Sequence, residues 1–288
     1  MIHGFVSSWP LFADTYLTAW AMAALLALVG VPVVARDQIF VGAAVAQAAL
    51  LGIGVTLWLG YLPVAARWPV LTSPLLLASL PVALAIATTL LTTRPPRPGQ
   101  TAEGRTGWVY LAAGSLTIVL LAGSPVGFQE IQQRLASSVV GASRGDTLVT
   151  GLLLLAAGAV ALAYHRPLTL LVTDPAMAAA VGLRVARWEG LLALALGLVL
   201  GLCLRPGGLL YCFGCLVLPG LAARYACREV RGMYLVAPAV ALLAAIAGFL
   251  LGHHHDLPQA PLTVVLLAAM LPVARLWQRL RHRLLASP

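Results

Sequence analysis

The chain has 288 residues, of which 61% are hydrophobic and 9% are charged, and its mean hydropathy is +0.94. So few charges leave too little polar surface to cover a water-soluble globule, which excludes an ordinary soluble enzyme. All 18 basic residues are arginine, so no Walker-A lysine and no Schiff-base lysine is present. The net charge of +9 comes from arginines scattered between apolar stretches, which favours membrane topology over nucleic-acid binding.

Apolar stretches long enough to cross a bilayer, about 20 residues each, follow one another along the whole chain. The pattern predicts an all-α transmembrane bundle of nine spans, within a range of eight to ten, in a single domain over residues 1–288. The spans lie near 12–34, 39–60, 70–92, 107–123, 147–165, 189–204, 209–223, 232–252 and 261–277. No basic segment precedes the first span, so we expect it to be a membrane helix and not a cleaved signal peptide.

Arginine is distributed unevenly between alternate loops, and loops rich in arginine are retained on the cytoplasmic side of a membrane. One set of loops holds all but four of the 18 arginines; the four exceptions are Arg67, Arg134, Arg144 and Arg205. This bias predicts an N-terminus outside the cell and a C-terminus in the cytoplasm, which agrees with an odd number of spans.

Three segments, in this order, resemble the permease subunit of the metal-type ABC importers, which move zinc, manganese or iron. They run from Val33 to Gly52, from Asp174 to Leu183, and from Gly207 to Arg224 followed by Asp256-Leu257-Pro258. The resemblance implies a multi-pass protein of a prokaryotic plasma membrane that pairs with a second permease copy as a homodimer; a different second permease chain is the alternative. It also implies an extracytoplasmic substrate-binding protein and a separate ATPase subunit that binds ATP and Mg. The chain itself would then be no enzyme and would bind no cofactor and no nucleic acid.

In that family the second segment implies a short cytoplasmic helix, here within about residues 166–188, that docks on the ATPase. The local chemistry agrees, because Asp174 followed by Pro175 is typical of a helix N-cap with proline at the first helical position. Gly182 can end such a helix. We therefore expect Asp174, Pro175, Ala178 and Gly182 to form the ATPase-coupling site; an interfacial connector without a partner is the alternative.

Gly42, Gln47 and Pro219 are candidates for the substrate pathway. The family pattern has an Asp directly after this glycine and a His four residues further on, so that two metal ligands share one helix face. Here those positions are Ala43 and Gln47, an apolar methyl and an amide. A pathway would then meet weakly polar walls, for which the candidates are Gln47, Thr56, Thr88, Thr89 and Ser115. Such walls favour a chelated or organic cargo, or a metal passed by soft ligands elsewhere.

Two other groups are candidate metal ligands. Cys212 and Cys215 are spaced so that both face one side of a helix, as soft ligands of Cu(I) or Zn would; packing as small hydrophobes is the alternative. His253, His254, His255 and Asp256 lie in the predicted outer loop between the last two helices, where they can contact a metal or form a solvated turn.

These observations predict the membrane-spanning permease subunit of an ATP-driven importer for a transition-metal ion or metal complex. An ABC permease for an organic or lipid-linked cargo is the main alternative. A secondary transporter that works without ATP and a membrane scaffold are the others, although no intramembrane charge or inverted repeat favours the former. The basic end from Arg275 to Arg283 fits contact with anionic lipid.

Overall fold

The computed structural model describes residues 2–62, 73–94, 99–122 and 141–286, and every regular element in these ranges is a helix. The helices are α1 Ile2–Ala35, α2 Ile39–Tyr61, α3 Pro74–Thr93, α4 Ala102–Ala122, α5 Arg144–Ala163, α6 His165–Thr173, α7 Pro175–Ala180, α8 Val185–Ala226, α9 Val230–His255 and α10 Gln259–Ala286. The predicted all-α class is confirmed. Residues 70–72 of the third predicted span lie outside the described ranges, as do Arg67, Arg97 and Arg134.

Seven stretches in the described ranges are long and apolar enough to cross a membrane. They are Phe12–Ala35, Ile39–Gly60, Ala102–Ala122, Arg144–Ala163, Val185–Ala226, Val230–His255 and Gln259–Arg279. A helix is the natural form here, because lipid offers no hydrogen-bond partner and the backbone must satisfy itself within the segment. The predicted polytopic bundle is confirmed.

The count of seven differs from the predicted nine at two places. The predicted span near 70–92 is α3, whose apolar part Ala78–Thr93 is shorter than the other candidates. The predicted spans near 189–204 and 209–223 are the two halves of α8, which has 42 residues and is interrupted at Gly208 (φ 71°, ψ 169°). Glycine adopts this backbone conformation at little cost, so the Gly207-Gly208 pair allows a kink inside one apolar stretch.

Local caps decide where several helices begin. Ser143 and Asp146 form a capping box at α5: the Ser143 hydroxyl accepts from the Asp146 amide at 3.3 Å, and the Asp146 carboxylate accepts from the Ser143 amide at 2.9 Å. The Thr101 hydroxyl accepts from the Gly104 amide at 3.0 Å. That cap starts α4 at Ala102, before the predicted 107, because capping chemistry extends a helix beyond its apolar core.

The chain divides into two compact units. The first comprises Met1–Asp37, Ser138–Val185 and Leu210–Pro288, and in it α1 packs along α5 and α9 while α9 packs along α10. The second comprises Gln38–Ser137 and Ala186–Leu209, and in it α2 packs against both α3 and α4. The single domain over residues 1–288 stays a prediction.

Glycine allows α1 and the second half of α8 to approach closely within the first unit. A Cβ atom added to Gly30 would overlap the backbone carbonyl of Leu216. A Cβ added to Gly220 would lie 2.9 Å from Cγ2 of Val34. Each helix thus offers a glycine to the other, four residues apart on both, which is how membrane helices pack without a hydrophobic driving force.

Gly30→Ala should destabilise the protein by about 1–3 kcal/mol, because the added methyl group overlaps backbone that cannot rotate away. The measurement is the apparent melting temperature of the purified chain in detergent, followed by tryptophan fluorescence. Gly158→Ala in α5 is the matched control, since a Cβ there has no neighbour within 4 Å. Equal melting temperatures for the two variants would contradict the close crossing.

Candidate functional site

The helix that precedes the predicted coupling segment is amphipathic and packs into the first unit. Leu168, Leu171 and Val172 of α6 are buried, at the spacing of one helix face, while Thr173 is exposed. The helix contacts α1, α5 and α9 as well as α7. α6 is therefore anchored to three membrane helices.

The amino end of α7 is closed by the predicted cap. The Asp174 carboxylate accepts a hydrogen bond from the Met177 amide at 2.9 Å, and Pro175 occupies the first turn. The Asp174 backbone also continues the hydrogen bonding of α6, because its amide donates to the Leu170 carbonyl at 2.9 Å. Asp174 thus joins α6 and α7 at one residue.

The carboxyl end of α7 is closed by a Schellman motif. Gly182 has φ 88° and donates to the Ala179 carbonyl at 3.0 Å, while Leu183 donates to the Ala178 carbonyl at 3.0 Å. The capped helix that the sequence predicts between Asp174 and Gly182 is confirmed as local structure. Its role in coupling stays a prediction.

α7 presents an exposed surface that is mainly apolar. Ala178 is buried, whereas Met177 is 53% exposed and Val181 is 65% exposed. Exposed apolar side chains on a short, doubly capped helix favour contact with another protein. Arg184 and Arg187, both exposed, follow within two turns.

Two arginines tie the ends of α1, α6 and α8 together. Arg36 donates from Nη2 to the Leu171 carbonyl at 3.0 Å. Arg224 binds both carboxylate oxygens of Asp37, the contact from Nη2 to Oδ2 being 3.3 Å, and its Nη1 also reaches the Val34 carbonyl at 3.5 Å. We call these contacts of Arg36, Asp37 and Arg224 the arginine latch.

The Asp37–Arg224 contact of the arginine latch lies just beyond the glycine contacts between α1 and α8. Gly220 lies one helical turn before Arg224, and its partner Val34 lies three residues before Asp37. Asp37 lies two residues beyond the end of α1, in the left-handed conformation (φ 57°), so the close crossing and this turn together bring its carboxylate to the guanidinium of Arg224. Sequence reasoning used Arg224 for membrane topology and as the end of the third resembling segment, and gave it no binding partner. The signal that it missed was Asp37, the one acidic residue between the first two spans.

Arg224 also sets the ionisation of its partner. Its guanidinium, hydrogen-bonded to Asp37, lowers the pKa of that carboxyl below the ordinary value of 3.8. The Asp37 side chain is 68% exposed, so solvent screens the pair. Its contribution to stability is therefore at the level of an exposed ion pair, about 0.2–1 kcal/mol.

The pathway candidates fall in both units. Gly42 and Gln47 belong to α2 in the second unit, and Pro219 is buried in α8 in the first. Gln47 is half-buried against α4, where a Cβ on Gly114 would lie 3.4 Å from its amide oxygen Oε1. The Gln47 amide thus lies beside the backbone of Gly114, where any other residue of α4 would place a side chain.

Two of the candidate pathway threonines in the second unit hydrogen-bond within their own helices. The Thr56 hydroxyl donates to the Ile53 carbonyl at 2.7 Å, and Thr89 donates to the Ile86 carbonyl at 2.8 Å. Their protons are therefore engaged by the backbone, which leaves these hydroxyls to offer only acceptor lone pairs.

The candidate metal ligands are placed as follows. Cys212 and Cys215 are buried in the second half of α8. The three histidines form the last turn of α9, not a loop as predicted, because the helix continues until Asp256 adopts the left-handed conformation (φ 52°). The rings of His254 and His255 lie 4.7 Å apart, edge to face. Within the ranges that the structure describes, no group of three or more His, Cys, Asp and Glu is arranged to hold a metal ion.

Apolar helices that can cross a membrane, together with an exposed capped helix, define a polytopic membrane protein. A family model described as the ABC 3 transport family matches residues 8–278, and the chain belongs to this family. The interpretation as a multi-pass membrane permease of an ABC transport family is confirmed at this level, and the metal cargo stays a prediction.

Three individual proteins are similar to the chain. The "Manganese transport system membrane protein MntC" of Halalkalibacterium halodurans is 31% identical over 168 residues, which cover 57% of this chain and 56% of that protein. The chain thus matches just over half the length of this relative. PsaBC from Streptococcus pneumoniae, solved in complex with Fab, is similar in fold, with a TM-score of 0.78, 17% identity and coverage of 98% of this chain and 100% of that one. A protein described as a metal-chelate type ABC transporter, inward-facing, has a TM-score of 0.70, 19% identity and coverage of 93% and 88%.

Asp37→Asn should lower stability by about 0.2–1 kcal/mol at neutral pH, because the amide loses the charge that Arg224 binds. A folded pKa below 3.8 means that the unfolded chain binds the proton first, so the wild-type advantage exists above about pH 4 and disappears as the pH falls through the folded pKa. The measurement is the difference in apparent melting temperature between the two proteins from neutral pH to about pH 3. Arg224→Gln should cost at least as much, because it also loses the contact with the Val34 carbonyl, and the double variant should cost no more than Arg224→Gln alone; additive losses would contradict the pairing.

Proposed function

We propose that the chain is the membrane-spanning subunit of an ATP-driven importer for a transition-metal ion or metal complex. It would work with a separate ATPase that binds ATP and Mg, an extracytoplasmic substrate-binding protein and a second permease copy. The family match over residues 8–278 supports the transporter class, and the similarity to a manganese transport protein supports the cargo. The single observation that carries the coupling is α7, capped at both ends and exposed.

The proposed coupling starts at α7. Six residues closed by Asp174 at one end and Gly182 at the other resist fraying, so a force applied to the exposed face moves the helix as a body. Asp174 belongs to the hydrogen bonding of both α6 and α7. Displacement of α7 would therefore reach α6 without a flexible linker between them.

The arginine latch supplies the next step. Arg36 holds the carbonyl of Leu171 in α6, so motion of α6 would pull on the end of α1. Asp37, the next residue, is bound by Arg224 near the end of α8. Nucleotide-dependent closure of the ATPase would thereby tilt two membrane helices together, which is the rigid-body motion that alternating access requires. The cytoplasmic position of α7 is part of this proposal.

A second cargo class, an organic or chelated compound, is favoured by one feature of α2. Where the family pattern has Asp and His, this chain has Ala43 and Gln47, both half-buried. A methyl group and an amide are poor ligands for a bare divalent ion, whereas weakly polar walls suit a cargo that keeps its own ligands. A transition metal remains the first proposal.

Met177→Glu should reduce binding of the ATPase subunit about tenfold or more, because it places a negative charge in an apolar contact. The measurement is the amount of ATPase that co-purifies with tagged permease from native membranes, together with ATP-dependent uptake in proteoliposomes. Gln100→Glu, which adds the same charge at another exposed position, should leave both unchanged.

The same experiment has two opposing outcomes. Full ATPase recovery with Met177→Glu would contradict the coupling role of α7. Uptake against a gradient by the chain alone would contradict the ABC mechanism.

A cysteine introduced at exposed Ala180, in a Cys227→Ser background, tests on which side of the membrane α7 lies: an impermeant maleimide should label this cysteine only in inside-out vesicles.

Changing His253, His254 and His255 to Ala, or Cys212 and Cys215 to Ser, should lower transition-metal accumulation in cells if these side chains contact the cargo. The measurement is cellular manganese, iron and zinc by elemental analysis, with and without the protein. Cys203→Ser is the matched control, since Cys203 is also fully buried in α8. Metal content that is the same with and without the wild-type protein would contradict a metal cargo, whatever the variants do.

A further inference from the structure

An apolar groove lies within the first unit, between the second half of α8, α9 and α10. Its volume is about 740 Å³. Six of its lining residues are alanines, whose small side chains leave room between larger neighbours, and we call them the alanine floor: Ala222, Ala226, Ala244, Ala247, Ala269 and Ala274. At its edges Leu243 and Val273 are 62% and 66% exposed. The groove is therefore open along its length to whatever surrounds the helices.

The length of the groove corresponds to one leaflet of a bilayer. Its lining runs from Val236 to Ala247 along α9, and from Leu266 to Trp277 along α10. At about 1.5 Å per helical residue, this is about 16 Å. Half of a hydrocarbon core of about 30 Å is about 15 Å. A single extended acyl chain reaching the bilayer centre would fill it.

The two ends of the groove differ in charge. Beside Ala226 and Trp277, the guanidinium of Arg275 lies over the ring of Tyr225, 4.9 Å from its centroid. Among the side chains that the structure describes, five exposed arginines belong to this end, with two acidic residues, Glu229 and the Asp37 that Arg224 binds: they are Arg224, Arg228, Arg231, Arg275 and Arg279. No arginine occurs in the stretch from Ala247 to Leu266, which contains the opposite end.

We propose that this groove binds one anionic phospholipid, with an acyl chain along the alanine floor and the headgroup phosphate on Arg275 and its neighbouring arginines. A guanidinium binds phosphate oxygens through paired hydrogen bonds, and stacking on Tyr225 holds Arg275 in place before the lipid arrives. Basic residues at a membrane surface select anionic over zwitterionic lipid. The site goes beyond transport, because it depends on neither the cargo nor the ATPase.

Native mass spectrometry of the full chain in detergent tests the site, with dioleoyl phosphatidylglycerol as probe and dioleoyl phosphatidylcholine, which has the same chains, for comparison. The wild type should keep one phosphatidylglycerol and prefer it about tenfold. Arg275→Gln should weaken that binding about fivefold, the loss expected for one arginine at an anionic surface. Ala269→Phe, at an exposed position of the floor, should block the acyl chain.

Matched controls are Arg94→Gln, at another exposed arginine, and Ala156→Phe, at an exposed alanine of α5; both should bind lipid like the wild type. Equal binding of the two lipids, or unchanged binding in both Arg275→Gln and Ala269→Phe, would overturn the proposal. So would a change of oligomeric state in Ala269→Phe with lipid binding intact, because the groove would then be an interface between copies. If Ala269→Phe does not fold, Arg275→Gln decides alone.

Discussion

The close parallel crossing of α1 with the second half of α8 is the constraint on which the candidate coupling machinery depends. Gly30 and Gly220 let each helix accept the other without an intervening Cβ. Lipid tails are as apolar as leucine, so such contact must come from close packing and not from escape from water. Just beyond this crossing lie Asp37, in the turn that follows α1, and Arg224 of α8; their pairing is weak in itself, and the packed helices beside it bring the two residues together.

A series of contacts connects this crossing to the exposed helix α7. Arg36 connects the end of α1 to α6, α6 is buried against α1, α5 and α9, and Asp174 passes the connection to α7. Each joint uses a short hydrogen bond or a buried apolar contact instead of a long loop. A chain without an ATPase site of its own needs such a rigid connection, because a flexible one would absorb the motion that a partner supplies.

The parts of this arrangement that depend on local chemistry could be predicted from the sequence. Asp174-Pro175 and Gly182 specify the ends of α7 within ten residues, and apolar length specifies the spans. The arginine latch could not be predicted in this way, because Asp37 and Arg224 are 187 residues apart and meet only through the packing of α1 on α8 and the left-handed turn that follows α1. Hydropathy also predicted two apolar stretches separated near Gly208, where the structure interrupts α8. It could not show that both stretches belong to one kinked helix, or that the two halves belong to different compact units.

Coupling to an ATPase and recognition of a cargo would depend on different residues of the chain. The proposed coupling segment resembles the metal-importer permeases in its cap, its proline and its terminal glycine, none of which is a metal-ligating group. At the ligand positions of α2 the likeness ends, with Ala43 and Gln47 in place of a carboxylate and an imidazole. A coupling helix such as the one proposed for α7 could serve any cargo, whereas a metal ligand serves only a metal. The residues Ala43 and Gln47 therefore bear on which cargo crosses the membrane and not on how an ATPase would drive the motion.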